Sequence, residues 1–302
     1  MTSSETTFPL ARRIGRVGVW TGALGRASAD QTREAAAEIE RLGYGALWIG
    51  EGHTTREAFS HAGLLLGATE RMTVATGIAN IWVRDATAAN AAANTLGEAY
   101  ADRFVLGLGA SHAPLVDHRG HQYSKPLAAM RDYLAAIDAA GYDAPRPARP
   151  IPRVLAALRP RMLELARDRA SGVHPYFVPP EHTAKAREII GDGPLLAPEQ
   201  AVVLETEPAA ARALAREHTS RYLSLPNYVN NLRALGFSDE DVADGGSDKL
   251  VDAIVAWGDI DAVKARVNEH LDAGADHVAI QPIAAGGAVG LDELRALAPA
   301  LL

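Results

Sequence analysis

No cysteine occurs anywhere in the 302 residues. This excludes disulfides, thiolate nucleophiles, and zinc or iron–sulfur centres built on cysteine ligands. Positive charge is the minority sign: 30 Lys and Arg stand against 37 Asp and Glu, a net charge of -7. Nothing in that balance recruits nucleic acid or an anionic membrane. No apolar run approaches the roughly 18–20 residues of a membrane span. The first residues, MTSSETTFPLARR, lack the apolar centre of a signal peptide and read as a flexible tail over residues 1–15. Internal repeats are also missing, which removes solenoids and propellers. What is present is ordinary for a globular chain: 48% hydrophobic and 22% charged residues, enough apolar material for one large core. Together these features lead us to expect a cytoplasmic protein with a small-molecule substrate.

The chain is organised around residues 72–112, MTVATGIANIWVRDATAANAAANTLGEAYADRFVLGLGASH. The stretch reads as a strand (73–80), an Ala-rich helix (about 87–100), a polar turn at Asp102-Arg103, and a second strand (104–109). Both strands are short apolar runs of the kind buried on two faces, so a parallel βαβ crossover is expected. Gly77-Ile78-Ala79-Asn80 lies at the end of the first strand. Gly107-Leu108-Gly109-Ala110-Ser111-His112 closes the second. Ligands of parallel α/β proteins meet the carboxyl ends of strands, which aims both loops at one pocket.

The same alternation runs through the rest of the chain. Strands are expected at 16–20, 46–50, 154–158, 173–177, 199–205 and 277–281. Ser28 with Gln31 has the spacing of a capping box, Gly43 suits a helix end, and Pro208 suits a first helical turn. A loop at 111–123, rich in His and Gly, is too long for a plain connection and suggests a lid over the substrate. The linker 141–152 carries four prolines and is expected to be stiff and extended. Eight strand–helix alternations without a break predict an α/β fold: a single (β/α)8 TIM barrel over residues 16–302. Insertions are expected after strands 4 and 7, the second at 223–257.

Three stretches carry a family resemblance: ALWIGEGH at 46–53, TGIAN through DRFVLGLGASH at 76–112, and WGDIDAVKARVNEHLDAGADHVAI at 257–280. In this order they resemble the luciferase-like monooxygenase superfamily, and more narrowly its coenzyme F420-dependent oxidoreductases. The resemblance implies a hydride transfer between F420 and a small organic substrate. Within the same fold, the alternative is an FMN-dependent monooxygenase supplied with reduced flavin by a separate reductase. A third reading, from another class, is a non-catalytic flavin-binding barrel. A homodimer is implied by resemblance only.

Residue by residue, the resemblance implies a non-prolyl cis peptide at Gly77-Ile78 that backs the coenzyme ring, with Asn80 beside it. Gly109, Ala110, Ser111 and His112 become cofactor contacts. The rival dinucleotide reading of this loop lacks the third glycine of its motif and an immediate helix. Ser171, Gly172 and His174 resemble the segment that receives the cofactor phosphate, with Arg159 and Arg161 as added charge or as a solvated helix start. Glu51 and His53 are the catalytic candidates: Glu51 as a ring-edge contact or a buried ion pair, His53 as a proton donor near neutrality or a structural histidine. Many relatives carry His directly after the acid, where this chain has Gly52. Trp20 and Trp82, at strand mouths, are candidate walls of the substrate pocket or core residues. His118 and His121 lack a supporting carboxylate pattern, so no metal is expected.

Overall fold

A computed structural model describes residues 10–302. Most of the expected tail, residues 1–9, lies outside the described residues. Residues 10–14 depart from the expectation of a tail, because they are helical and bury Leu10 and Ile14 in the core.

The strands are β1 (Val17–Thr21), β2 (Ala46–Ile49), β3 (Thr73–Thr76), β4 (Ala79–Asn80), β5 (Phe104–Gly109), β6 (Arg153–Leu155), β7 (Gly172–Val173), β8 (Leu195–Leu196), β9 (Glu199–Val203), β10 (Val255–Trp257) and β11 (Val278–Pro282). Every pairing among them is parallel. β1, β2, β3 and β5 are buried along their whole length, as strands covered on both faces must be. One side of segment 195–203 bonds to β7, with Ala197 N donating to Val173 O, and further along to β10. Its other side bonds to β11, which pairs with β1. The hydrogen-bonding path thus returns to its start, and the molecule is a TIM-barrel-like α/β fold.

Helices cover the outside: α1 (Ala29–Arg41), α2 (Ala58–Leu66), α3 (Ala86–Ala99), α4 (Ala113–Asp117), α5 (Pro126–Ala139), α6 (Pro160–Arg169), α7 (Pro180–Ile190), α8 (Pro208–Leu223), α9 (Pro226–Ala234), α10 (Asp239–Val242), α11 (Asp248–Ile254), α12 (Ile260–Asp272) and α13 (Leu291–Leu301). The Ser28–Gln31 capping box forms, with Gln31 N on Ser28 Oγ at 3.2 Å and Ser28 N on Gln31 Oε1 at 3.0 Å. Pro208 opens α8. The proline linker runs against α3, where a side chain at Gly97 would meet Ile151 Cδ1 at 1.9 Å.

The strand expected over 73–80 is two pieces, joined through a cis Gly77-Ile78 peptide. Between the paired residues Ala75 and Ala79 the chain takes four steps, while β5 takes three from Val105 to Leu108. One extra residue is taken up as a bulge. Thr76 fills the interrupted ladder: its hydroxyl donates to Gly107 O at 2.7 Å and accepts from Gly107 N at 2.8 Å. Only glycine fits at 107, because a Cβ there would lie 1.7 Å from Thr76 O. Residues 223–257, read as an unpatterned insertion, fold into α9, α10 and α11 and end in β10. Val255-Ala256-Trp257 is too short a run to be told from loop by pattern. Among the described residues no helix is long and apolar enough to cross a membrane.

Candidate functional site

The carboxyl ends of the strands open on one cavity of about 1070 Å³. One wall is made by small residues and backbone: Gly50, Gly52, Gly77, Ile78, Gly109 and Ala110, with Ser111 and His112 beyond. Trp20, from the end of β1, pins this wall by donating from Nε1 to Gly77 O at 3.0 Å. Behind Gly77 sits His174, its ring stacked on Trp48 at 4.4 Å. Its Nδ1 donates to Ala197 O at 2.7 Å, which fixes the tautomer. Burial lowers its pKa to about 4, so it stands as a neutral imidazole.

Of the two proton-handling candidates, Glu51 takes the ion-pair alternative and His53 lies outside the cavity lining. Glu51 edges the cavity, but its side chain is only 2% exposed. It pairs with Arg84 and accepts from Asn80 N at 2.8 Å and Ala58 N at 3.1 Å. Three hydrogen bonds, one of them within the Arg84 pair, tie this acid to the barrel mouth. His53 is not in the cavity lining. Its ring meets His118 edge-on at 4.1 Å, and its carbonyl accepts from Arg119 at 3.3 Å. The place next to Glu51 is filled by Thr55, whose hydroxyl accepts from Gly52 N at 2.9 Å and which itself lines the cavity. Asn80 is also turned away: it is buried and accepts from Trp82 N at 3.0 Å.

Ser171 and Gly172 lie at the wrong end of the barrel for a phosphate. β7 is two residues long and begins at Gly172, so its carboxyl end is Val173, with His174 following. Ser171 N instead donates to Arg153 O at 2.7 Å. What faces the cavity is the start of α6, with Leu158, Arg159, Pro160, Arg161 and Met162 in the lining. No side chain caps this helix; Pro160 brings no N–H, and Met162 N and Leu163 N donate to Arg159 O at 3.0 and 3.1 Å, so the Arg161 amide and the positive dipole end remain for an anion. Trp82 also departs from the pocket-wall expectation. Its Nε1 donates to Ala110 O at 2.9 Å, and the ring supports the wall from outside.

His112 lies in the lining with Nδ1 2.9 Å from Asn227 Oδ1. An amide oxygen only accepts, so Nδ1 carries the proton and Nε2 keeps a lone pair. Burial lowers its pKa, partly offset by Asn227. Asn227 comes from α9, in the segment without a readable pattern.

Beside it stands an aromatic wall missed in the sequence, built by Tyr176 just after β7, Tyr222 from α8 and Tyr228 from α9. Tyr176, Tyr222 and Tyr228 line the cavity beside Trp20. Trp20 and Tyr176 are 4.9 Å apart, Tyr176 and Tyr222 5.1 Å, and Tyr222 and Tyr228 5.3 Å. Behind them Glu199 is 1% exposed, and burial raises its pKa to about 8. Its Oε2 accepts from Phe177 N at 3.2 Å, which helps hold Phe177 at a φ of 60°. A bulky residue rarely adopts that conformation. The one sequence signal for this wall is position, since Tyr176 and Gln281 follow or end barrel strands.

Charge at the mouth runs against the chain's acidic balance. Arg26, Arg159, Arg161 and Arg221 all line the cavity and are exposed, and among the described residues none pairs with a carboxylate. The lining acids are Glu217 and the already paired Glu51. Among the described residues, no group of three or more metal-binding side chains is placed to hold a metal ion.

Comparison with known proteins gives three findings. Residues 14–277 match the family model described as luciferase-like monooxygenase. A 5,10-methylenetetrahydromethanopterin reductase of Methanolobus tindarius is 25% identical over 299 residues, covering 85% of this chain and 90% of that protein. Among solved structures, an F420-dependent secondary alcohol dehydrogenase in complex with an F420-acetone adduct superposes with a TM-score of 0.76 at 14% identity, covering 95% of this chain and 99% of that one. The oxygenating constituent of 3,6-diketocamphane monooxygenase of Pseudomonas putida, in complex with FMN, gives 0.67 at 16% identity, covering 95% and 98%.

Proposed function

The chain belongs to the luciferase-like monooxygenase family, and we propose that within it this protein is a coenzyme F420-dependent oxidoreductase acting on a small alcohol or carbonyl compound. Family membership supports an oxidoreductase. The choice of deazaflavin over FMN rests on one observation, the four unpaired arginines at the mouth of an acidic protein. FMN ends at its phosphate, whereas F420 continues into an acidic tail that needs cationic company on the way out.

The residues present suit such a coenzyme. The wall of Gly77, Ile78, Gly109 and Ala110 offers flat, unobstructed backbone to a ring, and the uncapped start of α6 offers the Arg161 amide and a positive dipole end to a phosphate. When bound, the deazaflavin supplies a two-electron hydride carrier. This chain's own contribution is to orient, to exclude water and to handle one proton. In our reading His112 Nε2 takes the hydroxyl proton of an alcohol as its carbon gives up a hydride, and Asn227 keeps the imidazole in the required tautomer. A complete (β/α)8 barrel with insertions after strands 4 and 7 and a homodimer belong to the same proposal, whereas a separate reductase would belong to the FMN alternative.

The experiment is a fluorescence and thermal-shift titration with F420 and with FMN. Saturable binding of F420, at least tenfold tighter than FMN and weakened by salt, is the expected result. Equal or tighter FMN binding moves the protein to the flavin monooxygenases, and binding of neither overturns both.

A further inference from the structure

The cavity has a second face, which meets the glycine wall at Trp20, and its hydrogen bonds are directional. Tyr176 Oη lies 2.8 Å from Gln281 Oε1, an atom that only accepts, so the Tyr176 proton is committed there. Tyr222 Oη lies 2.6 Å from Tyr176 Oη and must then be the donor. Both phenol protons are thus consumed within the wall, so these two rings offer the cavity apolar surface and no donor. Burial raises the pKa of both, which keeps them neutral.

The chain ends on Gln281, at the carboxyl end of β11, with its oxygen held by Tyr176. Its two Nε2 hydrogens have no partner among the described residues, and Gln281 lines the cavity. Tyr228 is the second uncommitted donor on this face. Phe177 packs behind at 5.0 Å from Tyr222 and 5.4 Å from Tyr228, so the rings are held from both sides. A rigid aromatic surface with fixed N–H donors selects a flat apolar body bearing an acceptor oxygen.

We infer that this face is the substrate subsite, and that it takes an aryl or cycloalkyl ketone, or the matching secondary alcohol, with the substrate oxygen on the Gln281 amide. The inference rests on the reading above for which half of the cavity the coenzyme fills, and it deepens that reading by naming a substrate class. Gln281 is a binding and orienting residue. Gln281 is half-buried, and a site built to hydrogen-bond an oxygen discriminates against the analogue lacking it, because the donor then loses its partner.

The test uses the full-length protein without coenzyme and two probes of similar shape, acetophenone and ethylbenzene, measured by calorimetry. The wild type is expected to prefer the ketone by about tenfold. Gln281→Leu should leave ethylbenzene affinity unchanged, which reports an intact wall, while the ketone preference falls to within about twofold. Tyr176→Phe keeps the ring but releases the amide, and about threefold of the preference should go. A preference that survives Gln281→Leu overturns the proposal, as does failure of the wild type to bind either probe. Displacement of acetophenone by saturating F420 also overturns it, since the two faces would then be one site. Failure of F420 to bind while the oxygen preference persists sinks only the coenzyme reading.

Discussion

Replacing Glu199 by Gln should remove a pH dependence that the wild-type fold cannot avoid. The carboxyl is 1% exposed, receives one hydrogen bond from Phe177 N at 3.2 Å, and has no partner at Oε1 among the described residues. Burial raises its pKa from 4.5 to about 8. The folded chain therefore keeps this proton through a range in which the unfolded chain has released it. Stability from this group is fully present below about pH 4.5 and is lost as pH rises through about 8. Each pH unit inside that window corresponds to about 1.4 kcal/mol, so from pH 5 to pH 9 the wild type should lose roughly 4 kcal/mol that Glu199→Gln keeps. Glutamine imitates the protonated acid, with its oxygen toward Phe177 N. Its amino group adds a penalty of about 1–3 kcal/mol that does not vary with pH. The slope is therefore the diagnostic, not the offset. Urea melts of both proteins at several pH values across this range supply it. Stability differences that stay constant within about 1 kcal/mol would refute the reasoning, because Glu199 would then titrate like an exposed carboxylate.

Acid should act through the histidines. Burial lowers His61, His174 and His277 to about 4, and His218 and His270 to about 3. Their contribution is present above the ordinary 6.5 and is lost as pH falls through the folded values, so melting temperature should drop steadily below pH 6.5; a flat profile down to pH 4.5 contradicts this. Gly107→Ala should fail to accumulate as folded protein, since its Cβ would lie 1.7 Å from Thr76 O, while Gly141→Ala, with nothing within 4 Å, expresses normally; circular dichroism and gel filtration separate the outcomes. His112→Ala should slow alcohol oxidation by about 100-fold or more with melting temperature nearly unchanged. Retained turnover would remove His112 from the chemistry.

The sequence was most legible where local pattern and barrel geometry coincide. Buried apolar runs at 46–49 and 104–109 announce parallel strands, and a strand's carboxyl end announces the pocket, which is why residues 77–78 and 109–112 could be placed in the cavity lining from pattern alone. The errors fall where a one-residue shift decides direction. Ser171 and Gly172 resemble a phosphate-receiving segment, yet they stand at the entry of β7, which begins at Gly172, and the segment that meets the cavity is the start of α6. His53 is separated from its expected place by Gly52, and no local rule reports that Thr55 fills the space. Trp20 and Trp82 look equivalent as strand-mouth residues, but only Trp20 lines the cavity. Tyr222, Asn227 and Tyr228 belong to α8 and α9, whose seating over the barrel mouth is a tertiary fact that periodicity does not encode.

The most direct measurement is a crystal structure of the protein grown with F420. The account predicts ring density against residues 77–78 and 109–111, phosphate at the first turn of α6, and tail density running out past the cavity arginines. Ring density on the tyrosine face, or a tail leaving away from those arginines, would contradict it.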